Sequence, residues 1–179
     1  MFIRIKKIKG KEYAYLVKNT WKKRKKSSRQ TSSSYLGKVI KLKKTNNKSL
    51  LEFLNLKDIN KYLKSPYNKI ILDLLKLELF NHSFTQTNKN IWTKDNTLID
   101  FKNQKVSDLS TKKPLCLEIN NNFLCSYTIR KLMNFKPKPN LTEIQIGKQL
   151  ATTIESSGVL ISKEIFVTLA QKILKEVKK

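Results

Sequence analysis

The chain has 179 residues and a formal net charge of +25, because 38 lysine and arginine residues outweigh 13 aspartate and glutamate residues. Hydrophobic residues make up 39% of the sequence, which is typical of a globular protein with a buried core. The most apolar run, residues 70–80, contains Asp73, Lys76 and Glu78, which excludes a membrane-spanning helix there. The N-terminus lacks the pattern of a secretory signal, so we expect a cytoplasmic protein that makes no membrane contact.

Positive charge is concentrated in the first 50 residues. They contain 17 lysine or arginine residues and one acid, Glu12, so they carry +16 of the total charge and the other 129 residues carry +9. The excess of 34 lysines over four arginines indicates a codon bias that raises the lysine content everywhere. Such a bias does not remove acids from one segment alone. A dense positive surface attracts polyanions and releases their counterions, so the sequence favours a phosphate backbone as the partner.

The N-terminal segment predicts a small antiparallel sheet of three strands. Its strand segments are rich in aromatic and β-branched residues; they are residues 2–8, 12–21 and 29–40. A turn at Lys9 and Gly10 joins the first two strands, and a basic connection, residues 22–26, leads into the third. We therefore predict a basic three-stranded module over residues 1–44.

Aromatic residues alternate with small or apolar ones along the second predicted strand. Period-two alternation places Tyr13, Tyr15 and Trp21 on one side and Ala14 and Leu16 on the other. Aromatic side chains interleaved with cations are typical of a surface that stacks on bases. Aromatic side chains are equally common where a sheet packs on its own core, so the sequence leaves both interpretations open.

The order of these elements resembles that of known DNA-binding modules. A basic strand and a glycine turn precede the motif EYAYLV at residues 12–17, and a basic loop and a polar strand precede YLGKV at residues 35–39. This pattern resembles the N-terminal module of some archaeal and bacterial transposases and is similar to the three-stranded arm-type DNA-binding domains of tyrosine integrases. The resemblance implies a sheet laid against DNA, with strand residues directed to the groove or the phosphates. It does not imply transposition, because the rest of the chain lacks the carboxylates and the length of such a catalytic domain.

The remaining residues, 45–179, predict a mainly helical body. Apolar residues at helical spacing predict helices near residues 49–64, 66–81, 123–135, 141–157 and 162–178. The second of these helices is apolar nearly all round, which predicts that it is buried at the centre. Residues 97–119 predict a short hairpin. The expected fold class is α+β: a small antiparallel N-terminal three-stranded sheet, followed by a mainly helical body with a second short β-hairpin.

The sequence offers few residues for catalysis. His82 is the only histidine, and Cys116 and Cys125 lie nine residues apart, a spacing that matches no metal or redox motif. The chain has four glycines and no phosphate-binding loop or dinucleotide fingerprint. We therefore expect no catalytic residues, no metal, no cofactor and no enzymatic activity.

The candidate binding residues are the cations and aromatics of the N-terminal module. They are Arg4, Lys6, Lys18, Trp21, Lys22, Lys23, Arg24, Lys25, Lys26, Arg29, Tyr35 and Lys38. A second basic patch is considered at Arg130, Lys131, Lys136 and Lys138. The expected function is sequence-tolerant nucleic-acid binding, with DNA favoured by the resemblance and ribosomal or structured RNA as the alternative. A second alternative is an adaptor that binds a protein partner, or a further copy of itself, through an exposed apolar stripe on the last two helices.

Overall fold

The computed structural model of the chain describes residues 1–22 and 27–177. Nine strands lie in this part of the chain: β1 (Phe2–Ile8), β2 (Lys11–Lys22), β3 (Ser27–Lys41), β4 (Thr85–Asn88), β5 (Ile91–Lys94), β6 (Thr97–Asp100), β7 (Lys105–Asp108), β8 (Leu115–Ile119) and β9 (Asn122–Cys125). Six helices lie there as well: α1 (Leu50–Leu54), α2 (Ile59–Leu63), α3 (Tyr67–Asn81), α4 (Ser126–Met133), α5 (Glu143–Ser156) and α6 (Lys163–Val177).

The expected fold class is wrong, because the chain is a mixed α/β protein with two sheets. The first sheet has five strands in the order β1-β2-β3-β8-β9, and the second has four antiparallel strands in the order β4-β5-β6-β7. The body is therefore not mainly helical, and the hairpin expected near residues 97–119 is divided between the sheets. Its first part is β6 paired with β7, whereas β8 pairs with β3 and β9.

β4 and β5 of the second sheet were not predicted, because they are short and β4 is polar, whereas β6 and β7 lie within the expected hairpin. β4, β5, β6 and β7 have four residues each, and every side chain of β4 is exposed. A four-residue strand without a buried face shows no apolar alternation, so its backbone ladder leaves little trace in the sequence.

The predicted helices differ from the observed ones mainly at their ends. The helix expected near residues 49–64 is two short helices, α1 and α2, because Asn55 adopts a left-handed conformation with φ of 50°. The helix expected near residues 123–135 begins only at Ser126, since residues 122–125 form β9.

The central helix is α3, as its sequence predicts. Ile70, Ile71, Leu74, Leu75 and Leu79 are each at most 1% exposed, and they belong to a core that also contains residues of α4, α5, α6 and both sheets. A helix that is apolar nearly all round can only be accommodated when other elements cover it on several sides.

A buried carboxylate ties α3 to the loops around it. Glu78 is 2% exposed, and its carboxylate accepts hydrogen bonds from Asn120 Nδ2 at 3.0 Å and from the backbone N–H of Leu160 at 3.0 Å. His82 is equally buried, with Nδ1 2.8 Å from the carbonyl oxygen of Glu78. The sole histidine thus lies within the packing of the C-terminal end of α3.

The first sheet continues from the N-terminal strands into residues 115–125. β3 runs parallel to β8, with Lys38 opposite Leu115 and Lys41 opposite Glu118. Gly37 lies at the start of this ladder with φ of +139°, and a Cβ atom there would lie 2.6 Å from the carbonyl oxygen of Pro114. Only glycine adopts this φ without strain, and only a residue without a side chain lets the backbones of β3 and β8 approach so closely.

In residues 1–22 and 27–177, no helix combines the length and the apolar character needed to cross a membrane.

We expect Gly37→Ala to lower the free energy of unfolding by about 2 kcal/mol or more, because the methyl group would separate β3 from β8 and the backbone would be strained. Gly147→Ala is the matched control, since Gly147 lies within α5 and a Cβ atom there meets nothing within 4 Å. It should raise stability by up to about 1 kcal/mol. Urea denaturation measures both variants, and equal midpoints would contradict the close packing at Gly37.

Ile71→Ala tests the central position of α3. Ile71 is 0% exposed, so truncation should cost about 2 to 5 kcal/mol through lost burial and the cavity left behind. Ile144 is also a helical isoleucine but is 73% exposed, and Ile144→Ala should change stability by less than about 0.5 kcal/mol. Urea denaturation measures the free energy of unfolding of both variants. Similar losses for the two variants would show that α3 is not central.

Candidate nucleic-acid interface

The N-terminal strands present one face to the core and the other to solvent. Ala14, Leu16, Leu36 and Val39 are between 0% and 8% exposed and pack with the two cysteines. The strand register places Arg4 opposite Tyr15, Lys6 opposite Tyr13 and Tyr15 opposite Tyr35 on the other side. We call this side the tyrosine face; it comprises Arg4, Lys6, Tyr13, Tyr15, Tyr35 and Lys38.

Three aromatic rings meet on the tyrosine face. The ring centroid of Tyr35 lies 5.5 Å from that of Tyr15 and 6.3 Å from that of Tyr13, and Lys6 Nζ lies 4.7 Å from the centroid of Tyr15. The rings and Ile8 line a shallow hollow of about 260 Å³. Partial burial and the nearby Tyr13 and Tyr15 raise the pKa of Tyr35, so its ring stays neutral at physiological pH. The structure therefore decides the question that the sequence left open: these tyrosines face away from the core.

The ends of β2 and β3 pair with each other beyond the rest of the sheet. The partners of β2 in β1 end at Val17, and the pairing of β3 with β8 begins at Lys38. Between these limits, residues 18–22 pair with residues 27–31, and we call these ten residues the ribbon. Among the described residues, the ribbon has no further strand beside it.

The described side chains of the ribbon lie on both of its faces, and all of them except the half-buried Thr20 are exposed. Lys18, Asn19, Trp21, Arg29, Gln30 and Thr31 are exposed, and Trp21 is 64% exposed. The hydroxyl of Thr20 donates to the carbonyl oxygen of Arg29 at 3.2 Å, and that of Thr31 donates to the carbonyl oxygen of Lys18 at 3.3 Å. The ribbon contains no acidic residue. It is a positively charged element whose exposed side chains are free to contact a partner.

The one acid of the first 50 residues is neutralised away from the tyrosine face. Lys41 Nζ lies 3.1 Å from a carboxylate oxygen of Glu12 and 3.8 Å from one of Glu118. The hydrogen bond to Glu12 and the charge of Glu118 raise the pKa of Lys41. Glu12 therefore does little to reduce the positive potential around the ribbon.

The candidate residues divide into those that the structure describes and those it does not. Arg4, Lys6 and Lys38 are exposed on the tyrosine face, and Lys18 and Arg29 are exposed on the ribbon. Lys22 is described only in its backbone, at the end of β2. The basic residues predicted at Lys23, Arg24, Lys25 and Lys26 lie outside the described residues.

The residues of the second basic patch suggested by the sequence, Arg130, Lys131, Lys136 and Lys138, do not form a single surface. Arg130 shares a cleft with Tyr35, whereas Lys136 and Lys138 line a different cleft beside Ile173. Burial, and then the charge of Lys138, lower the pKa of Lys131, so Lys131 belongs with the second group.

Three residues near the tyrosine face were not found from the sequence. Lys105, Lys112 and Tyr127 line the cleft that contains Tyr35 and Arg130. Lys105 and Lys112 come from β7 and the loop after it and Tyr127 comes from α4, and Tyr35 joins them because β3 pairs with β8. A parallel pairing between distant strands leaves no local signal, which is why the sequence did not indicate them.

The two cysteines are buried together on the inner face of the sheet. Cys116 and Cys125 are both 0% exposed, lie opposite each other in the β8–β9 ladder and are free thiols. The hydrogen bond to Cys125 and burial raise the pKa of the Cys116 thiol. Within the part of the chain that the structure describes, no group of three or more histidine, cysteine or acidic side chains could hold a metal ion.

Fold and site together describe a mixed α/β protein whose larger sheet exposes a basic, tyrosine-bearing face. Comparison with known proteins gave no match: no family model, no curated protein and no solved structure matches this chain. Functional inference therefore depends on the site itself.

The two tryptophans should differ in access to a soluble quencher. Trp21 is 64% exposed and Trp92 is 3% exposed, so acrylamide should quench a large part of the wild-type emission and little of the emission of Trp21→Phe. The remaining emission of this variant should also be shifted to the blue, as expected for a buried indole. Its melting temperature serves as the control for folding. Equal quenching of the two proteins would show that Trp21 is covered.

Proposed function

We propose that this chain is a non-enzymatic protein that binds nucleic acid, most favourably duplex DNA, through the ribbon and the tyrosine face. The supporting observation is the ribbon itself: a two-stranded β-element with Lys18, Trp21 and Arg29 exposed, no acid, and no strand beside it in the described residues. The major groove of B-DNA is about 12 Å wide and admits such a ribbon. The resemblance to arm-type DNA-binding domains agrees with this proposal.

The cations and the aromatic rings have different roles in this proposal. Lys18, Arg29 and Arg4 contact phosphates, which gives affinity that is independent of sequence and sensitive to salt. The basic residues 22–26 add to the same contacts. The tyrosines offer flat apolar surfaces to sugars or exposed bases. Binding of this kind is sequence-tolerant, and it fits a cytoplasmic protein with two unpaired thiols.

Structured or ribosomal RNA is the second candidate partner, and the tyrosine cluster favours it. The ring centroids of Tyr13 and Tyr15 lie 6.3 and 5.5 Å from that of Tyr35, and Lys6 lies over Tyr15, so the three rings form a platform on which unpaired bases can stack. The bases of duplex DNA are paired and stacked on one another, so fewer of them can stack on these rings.

The adaptor alternative has less support, because the apolar stripe of the last helix is packed inside. Ile165, Leu169 and Ile173 are between 0% and 4% exposed, and Val167 and Val177 are the exposed apolar residues of α6. Docking of a protein partner or of a second copy would therefore depend on exposed side chains outside this stripe, which include Ile144 of α5 and Leu160.

The proposal is tested by removing two cations from the ribbon. The double variant Lys18→Gln, Arg29→Gln is compared with Lys57→Gln, Lys163→Gln, which removes two exposed cations elsewhere and gives the same net charge. Binding to one sequence as duplex DNA, as single-stranded DNA and as folded RNA is measured across a salt series. We expect the ribbon variant to reduce the magnitude of the slope of the logarithm of the binding constant against the logarithm of the salt concentration by about two units on duplex DNA. Each lost phosphate contact reduces this slope by about 0.9 units.

The control variant should keep the wild-type slope. Equal slopes for both variants would overturn the assignment of the ribbon. A wild-type preference for folded RNA would replace DNA by the second candidate. Weak binding of the wild-type protein to all three polymers that vanishes by about 0.2 M salt would reject a nucleic-acid function.

A further inference from the structure

A basic cleft adjoins the tyrosine face and has no assigned role. It has a volume of about 290 Å³ and lies where β3, β7 and α4 meet. Its polar lining includes Lys105, Lys112 and Arg130, with Tyr35 and Tyr127 as aromatic walls. The lining residues include three cations and no aspartate or glutamate.

The walls of the cleft are joined by backbone hydrogen bonds. The backbone N–H of Lys38 donates to the carbonyl oxygen of Pro114 at 3.3 Å, and Pro114 forms a β-bridge with Ser107 of β7. The backbone N–H of Val106 donates to Ser126 Oγ at 2.9 Å, which fixes the first residue of α4 to β7. The cleft is therefore formed in advance of any ligand.

Arg130 is held with its charge available to a ligand. Its Nε donates to the carbonyl oxygen of Ser126 at 3.0 Å. Among the described residues, its two terminal nitrogens make no hydrogen bond, and a guanidinium held in this way can bind a phosphate with both.

The acids of the adjoining strands β6 and β7 are engaged with other groups. Asp108 accepts from the backbone N–H of Thr111 at 2.7 Å and of Ser110 at 3.1 Å, and these bonds lower its pKa. Asp100 accepts from Asn103 through both the backbone N–H, at 3.0 Å, and Nδ2, at 2.6 Å. Neither carboxylate lines the cleft.

Tyr35 connects the cleft to the tyrosine cluster. It lines the basic cleft and also lines the shallow hollow formed with Ile8, Tyr13 and Tyr15. A nucleotide lying on Tyr35 therefore has a surface for its base or sugar on one side and a cationic cleft on the other.

We propose that this cleft is a phosphate-binding subsite, in which Lys105, Lys112 and Arg130 hold one phosphate group of the nucleic acid whose adjoining nucleoside contacts Tyr35. The inference rests on the proposed function and extends the interface from the N-terminal strands to β7 and α4. The phosphate is either an internal phosphodiester or a terminal phosphomonoester.

The triple variant Lys105→Gln, Lys112→Gln, Arg130→Gln tests the subsite. Its control, Lys57→Gln, Lys89→Gln, Lys163→Gln, removes the same charge from exposed positions elsewhere. Each protein is titrated with one duplex that has either 5′-phosphate or 5′-hydroxyl ends. We expect the cleft variant to bind about tenfold more weakly than the control and to lose about one unit of salt slope, as for one phosphate contact.

The two duplexes identify the source of the phosphate. A loss of affinity for both duplexes indicates that the cleft binds an internal phosphodiester. A loss of affinity confined to the 5′-phosphorylated duplex indicates that it binds a terminal phosphate. The double variant Lys105→Gln, Lys112→Gln retains Arg130 and should show an intermediate loss of affinity, and a wild-type melting temperature for each variant excludes misfolding as the cause.

Failure of this inference is distinguishable from failure of the proposed function. If the wild-type protein binds and the ribbon variant is impaired, but the cleft variant equals its control on both duplexes, the subsite is refuted and the proposed function stands. If the wild-type protein does not bind nucleic acid, both are refuted.

Discussion

The parallel ladder between β3 and β8 is the constraint on which the rest of the structure depends. The paired residues, from Lys38 opposite Leu115 to Lys41 opposite Glu118, are 77 positions apart along the chain. Closing such a long loop costs conformational entropy, which the pairing must offset. Gly37 permits it, because its missing side chain allows the backbone of Pro114 and Leu115 to approach. Through this ladder the N-terminal hairpin becomes part of a five-stranded sheet.

This attachment determines which side of the N-terminal strands is buried. β8 and β9 bring Cys116 and Cys125 under the small and branched residues of β2 and β3, so the inner face is filled without Tyr13, Tyr15 or Tyr35. Tyr13, Tyr15 and Tyr35 remain on the other face, where they pack on one another and on Lys6. Aromatic side chains on a solvent-facing sheet surface, beside cations and away from acids, are the arrangement that nucleic-acid-binding sheets use.

Residue patterns within a single segment predicted those helices and strands whose formation does not depend on pairing with a distant segment. The helices α3, α5 and α6 were visible as apolar periodicity, because each buries a continuous face, and β1, β2 and β3 were visible from their aromatic and β-branched residues. β4 and β5 of the second sheet were not visible, because every side chain of β4 is exposed and each strand has four residues. The same limit applies to the site: Arg4, Lys18, Trp21 and Arg29 could be named from composition and alternation. Lys105 and Lys112 could not, because only the long-range ladder brings their segments to Tyr35.

Codon bias alone does not explain where the acidic and basic side chains lie in this fold. Two of the acids have structural roles: Glu78 is buried and bonded to Asn120 and Leu160, and Asp58 caps α2. Lys41 forms ion pairs with two further acids, Glu12 and Glu118, and the 13 acids of the chain are too few to pair with its 38 cations. Most cations therefore contribute repulsion rather than stability to the isolated chain, since unpaired like charges oppose compaction. A polyanion that binds only the folded form would relieve this repulsion and stabilise the fold by mass action.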